Sequence, residues 1–170
     1  MLDALTIEPL GKRQDRKFFS CGIPELDRYL ARQAGQDVRR RIARVFVCTA
    51  GETDAVLGFY TLSAQSIDLA SLPEQLSRKL PRHPVPCALI GRLAVDRSAH
   101  RQGLGRMLLS DAVKRTVIAG ETVAMHALIV DAANDDAKRF CERFGFVPLT
   151  DDPMRLFISL GHAALQDPQG

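Results

Sequence analysis

The tightest constraint on this chain lies between residues 88 and 110, where ALIGRLAVDRSAHRQGLGRMLLS turns from strand-like to helix-like patterning. Apolar residues run through Ala88, Leu89 and Ile90 and resume at Leu93, Ala94 and Val95. A polar bend, Asp96-Arg97-Ser98, leads to a glycine pair, Gly103 and Gly105. Leu104, Met107, Leu108, Ala112 and Val113 then recur at the spacing of a helix face. A strand, a glycine turn and a helix start in that order make a natural anion site. First-turn N–H groups of a helix have no intrahelical partner, and the macrodipole adds partial positive charge there. Glycine lets an anion approach the main chain with no Cβ in the way. Taken alone, two glycines before a helix describe a tight turn equally well.

The chain around this stretch has 170 residues, enough for one domain with a sizeable core. We expect that domain over residues 1–160 and a loosely ordered tail over 161–170. No run approaches the roughly 20 apolar residues of a membrane span, and Met1-Leu2-Asp3 opens no signal peptide. A cytoplasmic protein without membrane association is the expectation. Cys21, Cys48, Cys87 and Cys141 are widely spread, with no C-x-x-C pair and no clustered histidines. That spacing argues against a disulfide framework and against a metal site, and predicts buried reduced thiols. Net charge is only +3, but residues 1–50 hold ten Lys/Arg against six Asp/Glu, and residues 71–106 hold seven against two. Such asymmetry suits either a solvated basic surface or a polyanionic partner on one face.

Read in order, residues 3–9 suggest a short strand, and Pro24 sits near the first position of a helix whose face is Leu26, Tyr29 and Leu30. Residues 43–49 and 55–63 are strand-like through β-branched and aromatic enrichment, joined by a hairpin turn at 51–54. Ser71 with Glu74 predicts a capping box. The basic, proline-punctuated segment 78–84 is no central strand. One central strand is expected from Pro86 to Val95, and a buried strand over 123–130 that carries His126 as a core histidine. A helix over 135–143 and short strands over 146–149 and 154–159 complete an α/β domain with a mixed sheet. Tyr29 and Tyr60 lie in apolar-rich runs and read as core.

The string His100-Arg101-Gln102-Gly103-Leu104-Gly105 resembles the acetyl-CoA loop of the GNAT N-acetyltransferases, Q/R-x-x-G-x-G/A, with His100 where the family prefers Gln or Arg. The resemblance implies a GNAT fold, with a central, mixed, mostly antiparallel sheet flanked by helices. It also implies that acetyl-CoA, and no metal, is bound by Leu93, Ala94, Val95, His100, Arg101, Gln102, Gly103, Leu104, Gly105 and Arg106. A second stretch, Asn134 to Phe146, is similar to the family signature N-x-x-A-x-x-x-Y-x-x-x-G-F. Asn134, Ala137, Gly145 and Phe146 fall in place, and Asn134 is implied as a further CoA contact. The tyrosine, in that family the usual acid for the departing thiolate, is replaced by Cys141.

Cys and Tyr are both protonated near neutrality, with reference pKa values of about 8.5 and 10. The thiol is shorter by most of a phenyl ring, and losing a positioned acid costs roughly 10²–10⁴-fold in rate. Three readings stay open at Cys141: the acid itself, slower catalysis through water or another group, and an impaired enzyme.

The segments 19–22, 26–30, 58–63, 80–82 and 91–96 extend the resemblance to the GNAT toxins of bacterial toxin–antitoxin pairs. That resemblance implies acetylation of the α-amine of aminoacyl-tRNA, a ribbon-helix-helix antitoxin as partner, and a homodimer. It also implies tRNA contacts by basic side chains, for which Arg78, Lys79, Arg82, Arg39, Arg40, Arg41 and Arg44 are the candidates. The alternatives are a GNAT enzyme acting on a small amine or a protein N-terminus, and a binding module that holds CoA or antitoxin without turnover.

Overall fold

The computed structural model describes residues 4–80 and 84–161; Arg82 and most of the 161–170 tail lie outside them. The chain runs β1 (Leu5–Pro9), α1 (Pro24–Arg32), α2 (Ala34–Arg39), β2 (Arg44–Ala50), β3 (Gly58–Ile67), α3 (Glu74–Ser77), β4 (Val85–Ile90) and β5 (Leu93–Val95). It continues through α4 (Leu104–Ala119), β6 (Ala127–Asp131), α5 (Asp135–Phe144), β7 (Val147–Pro148) and β8 (Arg155–Ser159). The strand order is β1-β2-β3-β4-β6-β8-β7, with β5 paired to β3. β4 and β6 pair in parallel, whereas β1–β2, β2–β3, β3–β5, β6–β8 and β7–β8 are antiparallel. The sheet is therefore mixed and mostly antiparallel, as expected. No helix among the described residues is long and apolar enough to cross a membrane.

The chain divides into two compact units that share β3 and α4. The first unit comprises residues 1–63 and 91–111. Its core gathers Phe19, Leu26, Tyr29, Leu30, Val45, Val47, Phe59 and Ala94. Pro24 opens α1 as expected, because its missing N–H costs nothing at a helix start. A Cβ on Gly58 would lie 2.9 Å from Leu108 Cδ1 and 3.2 Å from the Ala94 carbonyl oxygen, so any side chain there would push Leu108 of α4 aside and crowd the β5 main chain. Leu104 and Leu108 are fully buried there, while Met107 is about two-fifths exposed, at 41%. The second unit, residues 64–90 and 112–170, has its own core of Ile67, Val85, Cys87, Ala127, Ile129 and Phe157.

Several local expectations are corrected. The single strand from Pro86 to Val95 is two strands, because the main chain breaks away at Gly91-Arg92. There Thr61 Oγ1 accepts the Arg92 N–H at 3.1 Å, while the Thr61 N–H donates to the Arg92 carbonyl at 3.0 Å. Ser71 caps no helix: its hydroxyl donates to Asp151 at 2.8 Å, and α3 starts after Pro73 without a side-chain cap. β6 starts at Ala127 rather than 123, since turns carry the chain past α4 to Val123 and leave that side chain exposed. His126 is exposed before the strand instead of buried within it, and its N–H donates to the Pro86 carbonyl at 2.8 Å. The strand expected from residue 55 begins at Gly58, and the further strand expected through Ile67 and Leu69 is its unbroken continuation, which ends at Ile67.

Candidate active site

β5 meets β3 through Gly58↔Val95, Phe59↔Ala94 and Tyr60↔Leu93. The flanking bonds, Thr61 N–H to the Arg92 carbonyl and Asp96 N–H to the Leu57 carbonyl at 2.8 Å, show that even-numbered residues aim their main chain at β3. Antiparallel geometry then turns the N–H groups of Leu93 and Val95 the other way. No other strand among the described residues pairs with β5. That outer edge is a template for an extended chain of amides. The ring of His100 holds part of it in place: Nε2 donates to the Val95 carbonyl at 2.7 Å.

The turn after β5 is pinned by Asp96. Its carboxylate accepts the Ser20 N–H at 2.8 Å, the Ser98 N–H at 3.0 Å and the Ser98 hydroxyl at 2.7 Å. Burial alone would raise its pKa, but these donors together with His100 hold it below the usual carboxylate value. The Arg97 N–H donates back to the Ser20 carbonyl at 2.8 Å. Arg101 (φ 63°) and Gly103 (φ 79°) then adopt left-handed conformations that fold the chain into α4. Arg101 is a non-glycine residue there, and such strain clusters at ligand clamps. Nothing lies within 4 Å of a Cβ built on Gly103. Glycine is needed for φ, and the space above it is open. No acidic residue stands in the first turn of α4.

In the other unit, Asn134 is the N-cap of α5: its Oδ1 accepts the Ala137 N–H at 2.9 Å. Gly145 (φ 120°) ends the helix, with its N–H and that of Phe146 donating to the Cys141 carbonyl at 3.2 and 3.0 Å. Cys141 itself is only 5% exposed. Burial, with a smaller contribution from Glu142, pushes its thiol up to about 12. Cys21, Cys48 and Cys87 are likewise buried free thiols, each pushed up to about 11 first of all by burial.

The described basic candidates fall in both units. Arg39 ends α2, Arg40 and Arg41 follow it, and Arg44 opens β2, all exposed in the first unit. Arg78 and Lys79 are exposed in the second, where Arg78 pairs with Glu74 at 2.8 Å. One arrangement is visible only in the fold. Arg92, at the break between β4 and β5, stacks its guanidinium 3.7 Å from the Tyr29 ring centroid, while the Tyr29 hydroxyl donates to Asp37 at 2.8 Å. A lone arginine after Gly91 inside an otherwise apolar run was the available signal. Tyr60, buried as expected, donates its hydroxyl to Asp111 at 2.5 Å. Among the described residues, no group of three His, Cys, Asp or Glu side chains is placed to hold a metal.

These features match known proteins. Residues 12–146 fit the model of the acetyltransferase (GNAT) family. A tRNA-acetylating toxin of Mycobacterium tuberculosis is 38% identical over 155 residues, 91% of each chain. The structure of AtaT complexed with acetyl-methionyl-tRNAfMet superposes with a TM-score of 0.89 at 32% identity, covering 95% of this chain and 98% of that one. A tyrosine-to-phenylalanine mutant of the AtaT toxin, bound to the C-terminus of the antitoxin AtaR and acetyl-CoA, superposes at 0.84 with 30% identity, covering 98% and 100%. The match of family model, relatives and fold over nearly the whole length makes this chain a member of the GNAT acetyltransferase family.

Proposed function

We propose that this protein is an acetyl-CoA-dependent N-acetyltransferase that acetylates the α-amine of aminoacyl-tRNA and so blocks translation. The observation that carries the reading is the run from β5 to α4. Its outward N–H groups at Leu93 and Val95, its open left-handed turn at Gly103 and its acid-free helix start fit an amide-bearing arm that ends in a pyrophosphate. Bound acetyl-CoA would supply a thioester carbonyl and a thiolate leaving group. In this reading residues 93–95 align the arm, residues 100–106 cradle the pyrophosphate, and Asn134 adds a contact from α5. The relatives' tRNA substrate supports the choice of acceptor. Arg78, Lys79, Arg82, Arg39, Arg40, Arg41 and Arg44 are the proposed tRNA contacts. A homodimer partnered by a ribbon-helix-helix antitoxin is part of the same proposal, and the structure of the AtaT toxin bound to the C-terminus of the antitoxin AtaR supports an antitoxin partner.

Cys141 is assigned no proton donation. Burial pushes this thiol up to about 12, which makes it a weaker acid than the ordinary thiol it would have to form, so the transfer runs uphill. The proton released by the attacking amine instead passes through water to the thiolate, at a cost of roughly 10²–10⁴ in rate against a positioned phenol. The test is a translation extract supplied with acetyl-CoA, with mass spectrometry of the tRNA-linked amino acid. N-acetylated product is expected from the natural protein, and more of it per unit time from Cys141→Tyr. No product from either, with CoA bound normally, would remove the enzyme reading.

A further inference from the structure

The segment Arg16-Lys17-Phe18-Phe19 and helix α1 face one another within the first unit. α1 buries Leu26, Tyr29 and Leu30, which turns Arg28 and Arg32 outward, one helical turn apart. Between helix and segment lies an open cavity of about 480 Å³ lined by Arg16, Lys17, Phe19, Asp27, Arg28 and Arg32, among others. Four cations therefore meet a single carboxylate, and that carboxylate already accepts the Cys21 N–H at 2.8 Å. Lys17, Arg28 and Arg32 make no ion pair with a described carboxylate. Arg16 is held in place by donating to the Leu30 carbonyl at 3.1 Å. Its guanidinium and that of Arg39 both lie beside Gly35, 3.7 and 3.3 Å from a Cβ built there, so the basic surface continues to the end of α2.

The aromatic neighbour decides what such a groove takes. Phe18 is 80% exposed, whereas Phe19 next to it is in the core. The Lys17 ammonium lies 5.8 Å from the Phe18 ring centroid. A lone exposed phenylalanine is ordinary. One that carries the Lys17 ammonium over its ring, and sits in sequence between two residues that line the cavity, combines the two elements that hold single-stranded nucleic acid, a stacking face and a phosphate track. An acidic peptide would use the charges and leave the ring in water.

We infer that this groove is a subsite for a single-stranded RNA segment, whose phosphates meet Arg16, Arg28 and Arg32 and one of whose bases stacks on Phe18. The inference rests on the tRNA-substrate reading and adds to it a surface that the sequence did not suggest.

The experiment measures binding of tRNA, and of an unstructured oligoribonucleotide of about eight nucleotides, to the full chain and to two variants, Phe18→Ala and the pair Arg28→Ala with Arg32→Ala. The arginine pair should weaken tRNA binding roughly tenfold and flatten the log–log salt slope by about 1.4, two single-strand phosphate contacts. Phe18→Ala should weaken binding about fivefold or more with the slope unchanged, and Phe18→Trp should restore it. KM for aminoacyl-tRNA should rise with kcat and CoA affinity retained, a split that a merely structural role would not produce. Variants that bind tRNA with parental affinity and salt slope would overturn the inference. So would variants that keep tRNA but lose an antitoxin peptide. A parent protein that binds the oligonucleotide through this groove yet acetylates no aminoacyl-tRNA would sink the substrate reading and leave the groove standing.

Discussion

Two helix N-termini in this molecule solve the same electrostatic problem in opposite ways. α5 neutralises its own: Asn134 accepts the Ala137 N–H, and Asp135 and Asp136 place carboxylates in the first turn. α4 has no acid in its first turn. Its approach runs through two left-handed residues, with Arg101 and Arg106 nearby in sequence and open space at Gly103. Both are helix starts with the same partial positive charge. Only the one whose sequence withholds a carboxylate has charge left for an external anion. The difference teaches that a helix start becomes a binding feature through what its first turn lacks.

The largest expected effect comes from giving α4 the device of α5. Gly105→Asp puts a carboxylate where the pyrophosphate is proposed to sit, and like-charge juxtaposition costs several kcal/mol. Calorimetry should find CoA affinity reduced about 100-fold or more, with thermal stability kept. Unchanged affinity would erase the distinction between the two helices.

A second effect concerns the self-contained character of α5, whose inner face carries Cys141. Burial pushes its thiol up to about 12, above the ordinary thiol value of about 9. For a raised pKa, the stabilising contribution is complete below the unfolded value and fades as pH rises towards the folded one. Denaturant midpoints should therefore hold to about pH 9 and fall above it, with Cys141 contributing a loss of roughly 1–2 kcal/mol by pH 10. Cys141→Ala should lessen that alkaline loss. An alkaline limb identical in the variant would show that the thiol is more open than its burial implies.

The smallest effect is at the cap. Asn134→Ala should cost about 1 kcal/mol, a shift of about 2–4 °C in Tm, read by calorimetry. CoA affinity should fall with it, since Asn134 is also proposed as a CoA contact; unchanged affinity would confine Asn134 to capping the helix.

Much of this was legible along the chain because it depends on neighbours in sequence. The glycine turn into α4, Pro24 at the start of α1, Asn134 before α5 and Gly145 after it are all local devices with fixed offsets. The basic groove was not legible. Arg16 and Lys17 look like loop charges, and Arg28 and Arg32 like a solvated helix face, until folding sets them around one cavity. Ser71 misled for the converse reason: the spacing of a capping box was present, but Asp151, eighty residues away, took the hydroxyl.

The sequence alone determined the start of α1 at Pro24, the bounds of α5 between Asn134 and Gly145, and the glycine turn before residue 104, since φ preferences and caps act over a few residues. Tertiary structure alone decided that residues 86–95 are two strands. An apolar run does not record which neighbour its amides will meet, and Thr61, thirty-one residues before Arg92, draws the chain aside and exposes the edge on which the proposed chemistry depends.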